Sequence, residues 1–449
     1  MNGIDLDPGA VLPAPDEQWL FAWGGANVSI GASSLLVPLY VVQLGGDAFA
    51  LGLLWFATSL AMVPGALGVG KLVDRTGRHR PFALAGLVGV TLTLAVVPFL
   101  ETVAAVLVVD AALWLFVASV TPVLTLLVLA DVPENRWDNR IAVLNKYQGY
   151  GWAGGLVLGA VWTRAFAGVF SPLGVQRSLL VFCAGLLVVS VVAAARWLPE
   201  EESEPEKPPL SRSKRARRAV RGSLSPLLPG RFVSLARTKS PRRVVRSLKG
   251  PLGVYFLAVT LFFTGFSVFS APLPDFLTQA GFGDDAIFVL YVVSSLASAV
   301  FYVGAGELAG RYDLRLLQSG ALGMRVVAFP AIAVVGFGVH ATSPLALLAI
   351  GVLFGTVGLS WAVIAVTANS LVARYASPSR RGAALGLYTA LSAGAGGIGG
   401  LAGGWLATSL GYVSTFGVAG GLVLVGSALV LVLHFFVPGG RHRPAERSA

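Results

Sequence analysis

Gly70-Lys71-Leu72-Val73-Asp74-Arg75-Thr76-Gly77-Arg78-His79-Arg80 is an island of charge between two long apolar stretches. A worn copy, Gly306-Glu307-Leu308-Ala309-Gly310-Arg311-Tyr312-Asp313-Leu314-Arg315, returns 236 residues later. A second pair keeps nearly the same distance. Arg140-Ile141-Ala142-Val143-Leu144 with Tyr147 recurs as Arg381-Gly382-Ala383-Ala384-Leu385 with Tyr388, 241 residues on. A repeat of that size in an apolar chain predicts two membrane half-bundles in tandem, an arrangement that moves solutes by rocking about a shared site.

The chain has 449 residues, 55% hydrophobic and only 12% charged, where a soluble globular protein carries about 25% charge. Charge is missing from a dozen apolar runs, each long enough to cross a hydrocarbon core of ~30 Å as a helix. We place the spans at 19–43, 49–72, 81–100, 103–130, 140–165, 177–198, 252–275, 285–309, 316–339, 343–373, 381–408 and 412–437. Backbone groups in lipid must pair within their own segment, which favours helices. The runs are continuously apolar and longer than the ~10 alternating residues of a transmembrane β-strand. The expected fold is an all-α polytopic membrane protein with two six-helix bundles. Its domains are a tail at 1–18, bundles at 19–198 and 251–437, a basic linker at 199–250 and a second tail at 438–449.

The single cysteine, Cys183, excludes an intrachain disulfide and reads as a small core residue. No cleavable signal is expected, because the segment before span 1 is acidic (Asp5, Asp7, Asp16, Glu17) where a signal would start basic.

Net charge is +11, but its location speaks against nucleic acid as a partner. Of 33 Lys/Arg residues, 29 fall on one side of the twelve spans. Arg164 and Arg177 fall on the other side, and Lys146 and Arg325 lie within spans. The positive-inside rule then places both termini in the cytoplasm of a multi-pass cell-membrane protein. The linker opens with five glutamates and then holds fourteen basic and no acidic residues from Lys207 to Lys249. Such a segment either lies on anionic lipid or is a solvated tether that also fixes topology. No nucleic-acid-binding module accompanies the charge.

The Gly70–Arg80 stretch resembles the 2–3 loop signature of the major facilitator superfamily: Gly, three residues, Asp-Arg, one residue, Gly-Arg and a basic position. The resemblance extends over nearly the whole chain through the twelve spans, the long middle loop and the second copy. It implies bundles related by a pseudo-twofold axis along the membrane normal. It also implies a cytoplasmic latch formed by Gly70, Asp74, Arg75, Gly77 and Arg78 in the outward-facing state. In the second copy Gly310 stands where Asp74 stands and Asp313 where Gly77 stands, so the latch is expected on one side only. Glycines crowd spans 5 and 11. The span 5 cluster resembles the fifth helix of proton-coupled drug exporters, without the proline of that motif; close helix packing explains the same glycines.

Polar groups inside apolar spans are costly and point to function. They fall on one face of span 4 (Asp110, Trp114, Thr121, Thr125) and of span 10 (Thr356, Ser360, Thr367, Ser370), and recur on spans 1 and 7. These four helices are also the ones the resemblance implies as cavity-lining. The candidate cavity residues are Trp23, Asn27, Trp114, Thr121, Lys146, Tyr147, Thr264, Trp361, Thr367, Asn369 and Tyr388. Asp110 reads as the one acid well within a span, and burial disfavours a carboxylate's charged form, so it is the proton-coupling or cation-binding candidate; the alternatives are an acid near the external headgroups and a structural ion pair. Lys146, about 20 Å away in depth by helical rise, either attracts an anionic solute or the cytoplasmic gate, or extends to the interface. Arg325, near the start of span 9, is expected to extend to the interface as well.

The four histidines are scattered and form no metal set. No Gly-x-x-x-x-Gly-Lys-Ser/Thr occurs, so ATP is not a visible energy source. No cofactor and no enzymatic activity are expected. The expected function is secondary active transport by alternating access, coupled to protons or another ion, acting as a monomeric antiporter in the efflux of small, moderately hydrophobic compounds. The alternatives are uptake of a sugar or organic acid, and a non-transport sensor or enzyme on the same fold.

Overall fold

The structure is a computed structural model, which describes residues 18–76, 78–128, 137–199, 250–338, 343–376 and 381–436. Among them there is no strand. The elements are α1 (Trp19–Gln43), α2 (Ala48–Thr76), α3 (Arg80–Val96) with a short 3-10 turn (Val97–Phe99), α4 (Val103–Val128), α5 (Trp137–Phe166) and α6 (Pro172–Trp197). They continue as α7 (Pro251–Ser270), α8 (Leu273–Gln279), α9 (Asp284–Arg311), α10 (Leu314–Gly338), α11 (Pro344–Tyr375) and α12 (Arg381–Phe436). Long Leu/Val/Ala runs satisfy their backbone groups internally as helices, as a lipid environment requires.

Ten stretches of the described residues are long and apolar enough to cross a membrane. The last of them, 384–435, holds two helices. Their joint is Gly411, at φ +78°, a conformation that only glycine adopts without strain. Helix α5 has the length but carries Asp138, Arg140, Lys146 and Arg164, which lower its hydropathy. Counting α5, and both arms of α12, accounts for the twelve expected spans. The expected span 252–275 is broken in two, because Pro272 lies between α7 and α8 and Pro274 opens the first turn of α8.

The chain divides into two compact units. Of the described residues, one comprises 18–46, 57–76, 78–128, 137–199 and 283–289, the other 47–56, 250–282, 290–338, 343–376 and 381–436. The expected linker, both tails and Gly77 lie outside the described residues.

In the first unit α1 packs on α5 and α6, and α3 packs on α4 and α6. Glycine permits the α1–α5 approach. A Cβ on Gly155 would overlap the Val28 carbonyl, and one on Gly151 the Gly24 carbonyl. Ser29 donates to the Cys183 carbonyl (2.8 Å), tying α1 to α6, and Cys183 is buried as expected of a packing residue. Helix α6 starts conventionally: Ser171 accepts from the Gly174 N–H (3.2 Å), with Pro172 at the first helical position.

In the second unit α7 packs along α12, and α10 packs on α11 and α12. The same glycine device recurs, with Gly399 and Gly403 against the backbone of Thr264 and Val268. Aromatic rings fill the remaining core. Phe269 and Phe329 stack at 4.0 Å with their planes 6° apart, and Tyr255 hydrogen-bonds Gln318 (3.0 Å) between α7 and α10.

Candidate functional site

In the first unit α1, α4 and α5 carry the expected polar residues. Asp110 stands on α4, seven residues after its start and 3% exposed. Among the described residues no donor or cation pairs with it. A carboxylate placed so within an apolar helix is costly. Trp23 is buried and its indole N–H has no hydrogen-bond partner. Asn27, also buried, donates to the Trp23 carbonyl one turn back (2.8 Å). Trp114 lies against Trp152, centroids 6.2 Å apart, and Tyr147 meets Phe21 edge-on at 5.5 Å. Lys146 is half-buried, its Nζ 5.8 Å from the centre of the Tyr150 ring. No Asp110–Lys146 ion pair forms among the described residues. Thr121 is buried but donates to the Val117 carbonyl (3.3 Å), and Thr125 in turn to the Thr121 carbonyl (2.8 Å). Both hydroxyls are spent on their own helix.

In the second unit Thr264 donates to Thr260 (2.7 Å), Thr367 to Val363 (2.7 Å) and Asn369 to Ala365 (3.2 Å), again within their own helices. Trp361 and Tyr388 behave differently. Both stand edge-on to Phe263, with centroids 6.2 Å from it.

Arg325 corrects an expectation. It does not extend to the interface. It is 5% exposed and inserted between helices. Its Nε donates to Ser360 Oγ (2.9 Å) and one Nη to the Val357 carbonyl (3.0 Å), both on α11. Its guanidinium carbon lies 4.2 Å from the centre of the Phe266 ring, 5.6 Å from Trp361 and 5.9 Å from Phe329. The sequence carried one signal for this, a charge well inside an apolar run. Nothing in the sequence gave its direction around the helix axis.

Asp275 was also missed as a buried acid. It is 3% exposed at the start of α8 and accepts hydrogen bonds from Tyr412 (2.5 Å) and Gln279 (3.2 Å). Asp110 is therefore not the only buried acid among the described residues, but of the two it is the one without such partners.

Of the latch residues, Gly70, Asp74 and Arg75 lie in the helical backbone of α2, Gly77 lies outside the described residues, and Arg78 is exposed. In the second copy Asp313 has a definite role. It caps α10, accepting from the Arg315 N–H (2.8 Å) and Nε (3.0 Å). Arg315 in turn donates to the Leu433 carbonyl of α12 (2.8 Å), and His434 Nδ1 stands 3.3 Å from Asp313. The Arg315 guanidinium holds the Asp313 carboxyl well below the usual carboxylate range. A cleft of about 290 Å³ lined by Pro98, Phe99, Glu101 and Arg177 touches none of the candidate residues.

Among solved structures, the fold is similar to that of a mutant of the nucleoside transporter NupG, with TM-score 0.72 and 13% identity, covering 94% of this chain and 100% of that one. It is similar to a POT family transporter in complex with a thioalcohol-conjugated peptide, with TM-score 0.68 and 15% identity over 93% and 96% of the two chains. It is also similar to the human organic anion transporter TETRAN, with TM-score 0.54 and 22% identity over 93% and 100%. No curated protein matches the chain significantly. The sequence profile of the Major Facilitator Superfamily matches residues 29–369 and 358–449. With apolar helices among the described residues and a family match over nearly the full length, the chain belongs to the Major Facilitator Superfamily and is a multi-pass membrane transporter, not an enzyme.

Proposed function

We propose that this transporter works by proton-coupled alternating access, with Asp110 as the proton carrier, and that it exports small, moderately hydrophobic compounds. The observation that carries the reading is Asp110 itself: a buried carboxylate on an apolar helix, unpaired among the described residues. A group so placed gains by taking up a proton when it leaves water. The aromatic side chains Trp23, Trp114, Trp361, Tyr147 and Tyr388 suit apolar solutes. The concentration of Lys and Arg on one side of the spans supports a cell-membrane protein with both termini in the cytoplasm. The Gly70–Arg78 latch and the domain limits 19–198 and 251–437 belong to the same proposal.

Reconstituted vesicles with an imposed pH gradient test it. Wild-type protein accumulates solute in inverted vesicles, whereas Asp110→Asn retains downhill exchange and loses driven accumulation. Driven accumulation by a folded Asp110→Asn variant would overturn the role.

A second reading, uptake of an organic acid, draws on the cations Arg325 and Lys146 and on the organic anion transporter among the structural neighbours. Solute that enters rather than leaves under the same gradient would favour it.

A further inference from the structure

Arg325 stands eleven residues after Leu314, the start of α10, about 16 Å along the helix and near the middle of a hydrocarbon core of ~30 Å. A full positive charge at that depth is expensive unless something answers it. Its surroundings in the second unit answer it in part. The face of Phe266 and the Trp361 ring lie close enough for cation–π attraction. Two N–H groups are taken by Ser360 Oγ and the Val357 carbonyl. A guanidinium has five such donors, so three remain. No carboxylate among the described residues pairs with it. Asp275 is bonded to Tyr412 and Gln279, and Asp313 to Arg315.

The donors are also pre-aimed. Ser360 gives its own hydroxyl hydrogen to the Val357 carbonyl (2.8 Å), which leaves its lone pair facing Arg325 Nε. The guanidinium plane is thus held from α11 on one edge while aromatic rings flank it. This combination of a fixed fork and ring faces matches a carboxylate attached to an apolar, preferably aromatic, body. Two parallel N–H bonds would take the two carboxylate oxygens, and the rings would take the body.

We infer that Arg325, held by Ser360 and flanked by Phe266 and Trp361, is a binding subsite for the carboxylate of a hydrophobic organic acid. The inference rests on the transport reading above and narrows its solute class from moderately hydrophobic compounds to hydrophobic anions.

The purified full chain is titrated with 1-naphthoate and with its neutral amide, 1-naphthamide, following thermal stabilisation and tryptophan fluorescence. Wild-type protein binds the acid about tenfold or more tightly than the amide, the range expected of hydrogen bonds to a charged group. Arg325→Gln removes that preference, Arg325→Lys keeps part of it, and Ser360→Ala weakens the acid more than the amide. Equal affinity of wild-type protein for acid and amide overturns the subsite. So does a folded, monodisperse Arg325→Gln that retains the preference. Should Arg325→Gln not fold, the wild-type comparison and Ser360→Ala decide alone. Failure of acid binding beside intact Asp110-dependent export of a neutral or cationic solute sinks the subsite only. Intact acid binding beside gradient-independent flux sinks the proton-coupled reading only.

Discussion

In the first unit, α5 lies against α1 through Gly151 and Gly155, which meet the backbone of Gly24 and Val28. In the second, α12 lies against α7 through Gly399 and Gly403, which meet the backbone of Thr264 and Val268. In both, two small residues four apart meet two positions four apart, and both helices are read in the same direction. The buried charges do not repeat. Among the described residues, the first unit buries Asp110 with no cation beside it; the second buries Arg325 among rings with no acid beside it, while its other buried charges, Asp275 and Arg315, each have polar partners. A backbone contact that leaves no room for a Cβ constrains both halves of a duplicated chain alike. A side chain outside such a contact is free to diverge in sign.

The largest expected effect tests the shared half of that comparison. Gly155→Val and Gly403→Val each force a side chain into a backbone carbonyl and should cost about 3 kcal/mol or more, read as aggregation or a large drop in melting temperature. Tolerance in one unit only would show that the two approaches are not equivalent. Next comes Asp110→Asn, which should lower gradient-driven flux about tenfold or more, within the usual range of a lost proton-transfer group; unchanged flux would remove the functional half of the contrast. Gly411→Ala should cost about 1–3 kcal/mol, because φ +78° with ψ 166° is a backbone region essentially restricted to glycine, and a thermal melt will show it. Asp313→Asn should cost about 1 kcal/mol at neutral pH. Asp313 is depressed in the folded state by Arg315, so its contribution is present above the unfolded value of about 3.9. It fades as pH falls from there toward the folded value. The gap between the wild-type and Asp313→Asn melting temperatures should therefore narrow below about pH 4. Smallest of all, Gly417→Ala, in helical backbone where a Cβ would meet nothing within 4 Å, should raise stability by about 0.5–1 kcal/mol.

The fold was legible because lipid leaves the chain few choices. An apolar run of sufficient length is a helix, and even the charged α5 could be placed within the repeat. The interruption at Pro272 and Pro274 leaves no mark in the hydropathy, which continues across it. The site was less legible. Polar faces on spans 4 and 10 looked functional, yet Thr121, Thr125, Thr367 and Ser370 spend their hydroxyls on carbonyls of their own helices. Only Ser360, on the same face, engages another helix, through Arg325. Asp275 and Arg325 depend on how far each helix is rotated against its neighbours. That rotation is set by tertiary packing and leaves no periodic trace in a run where nearly every residue is apolar.

Gly411 joins the arms of α12 with no intervening loop. Neighbouring Cα atoms are fixed about 3.8 Å apart, so no slack exists to absorb a displacement. When residue 410 moves, residue 412 must follow within that reach, and only the torsions at this one hinge can change the angle between the arms.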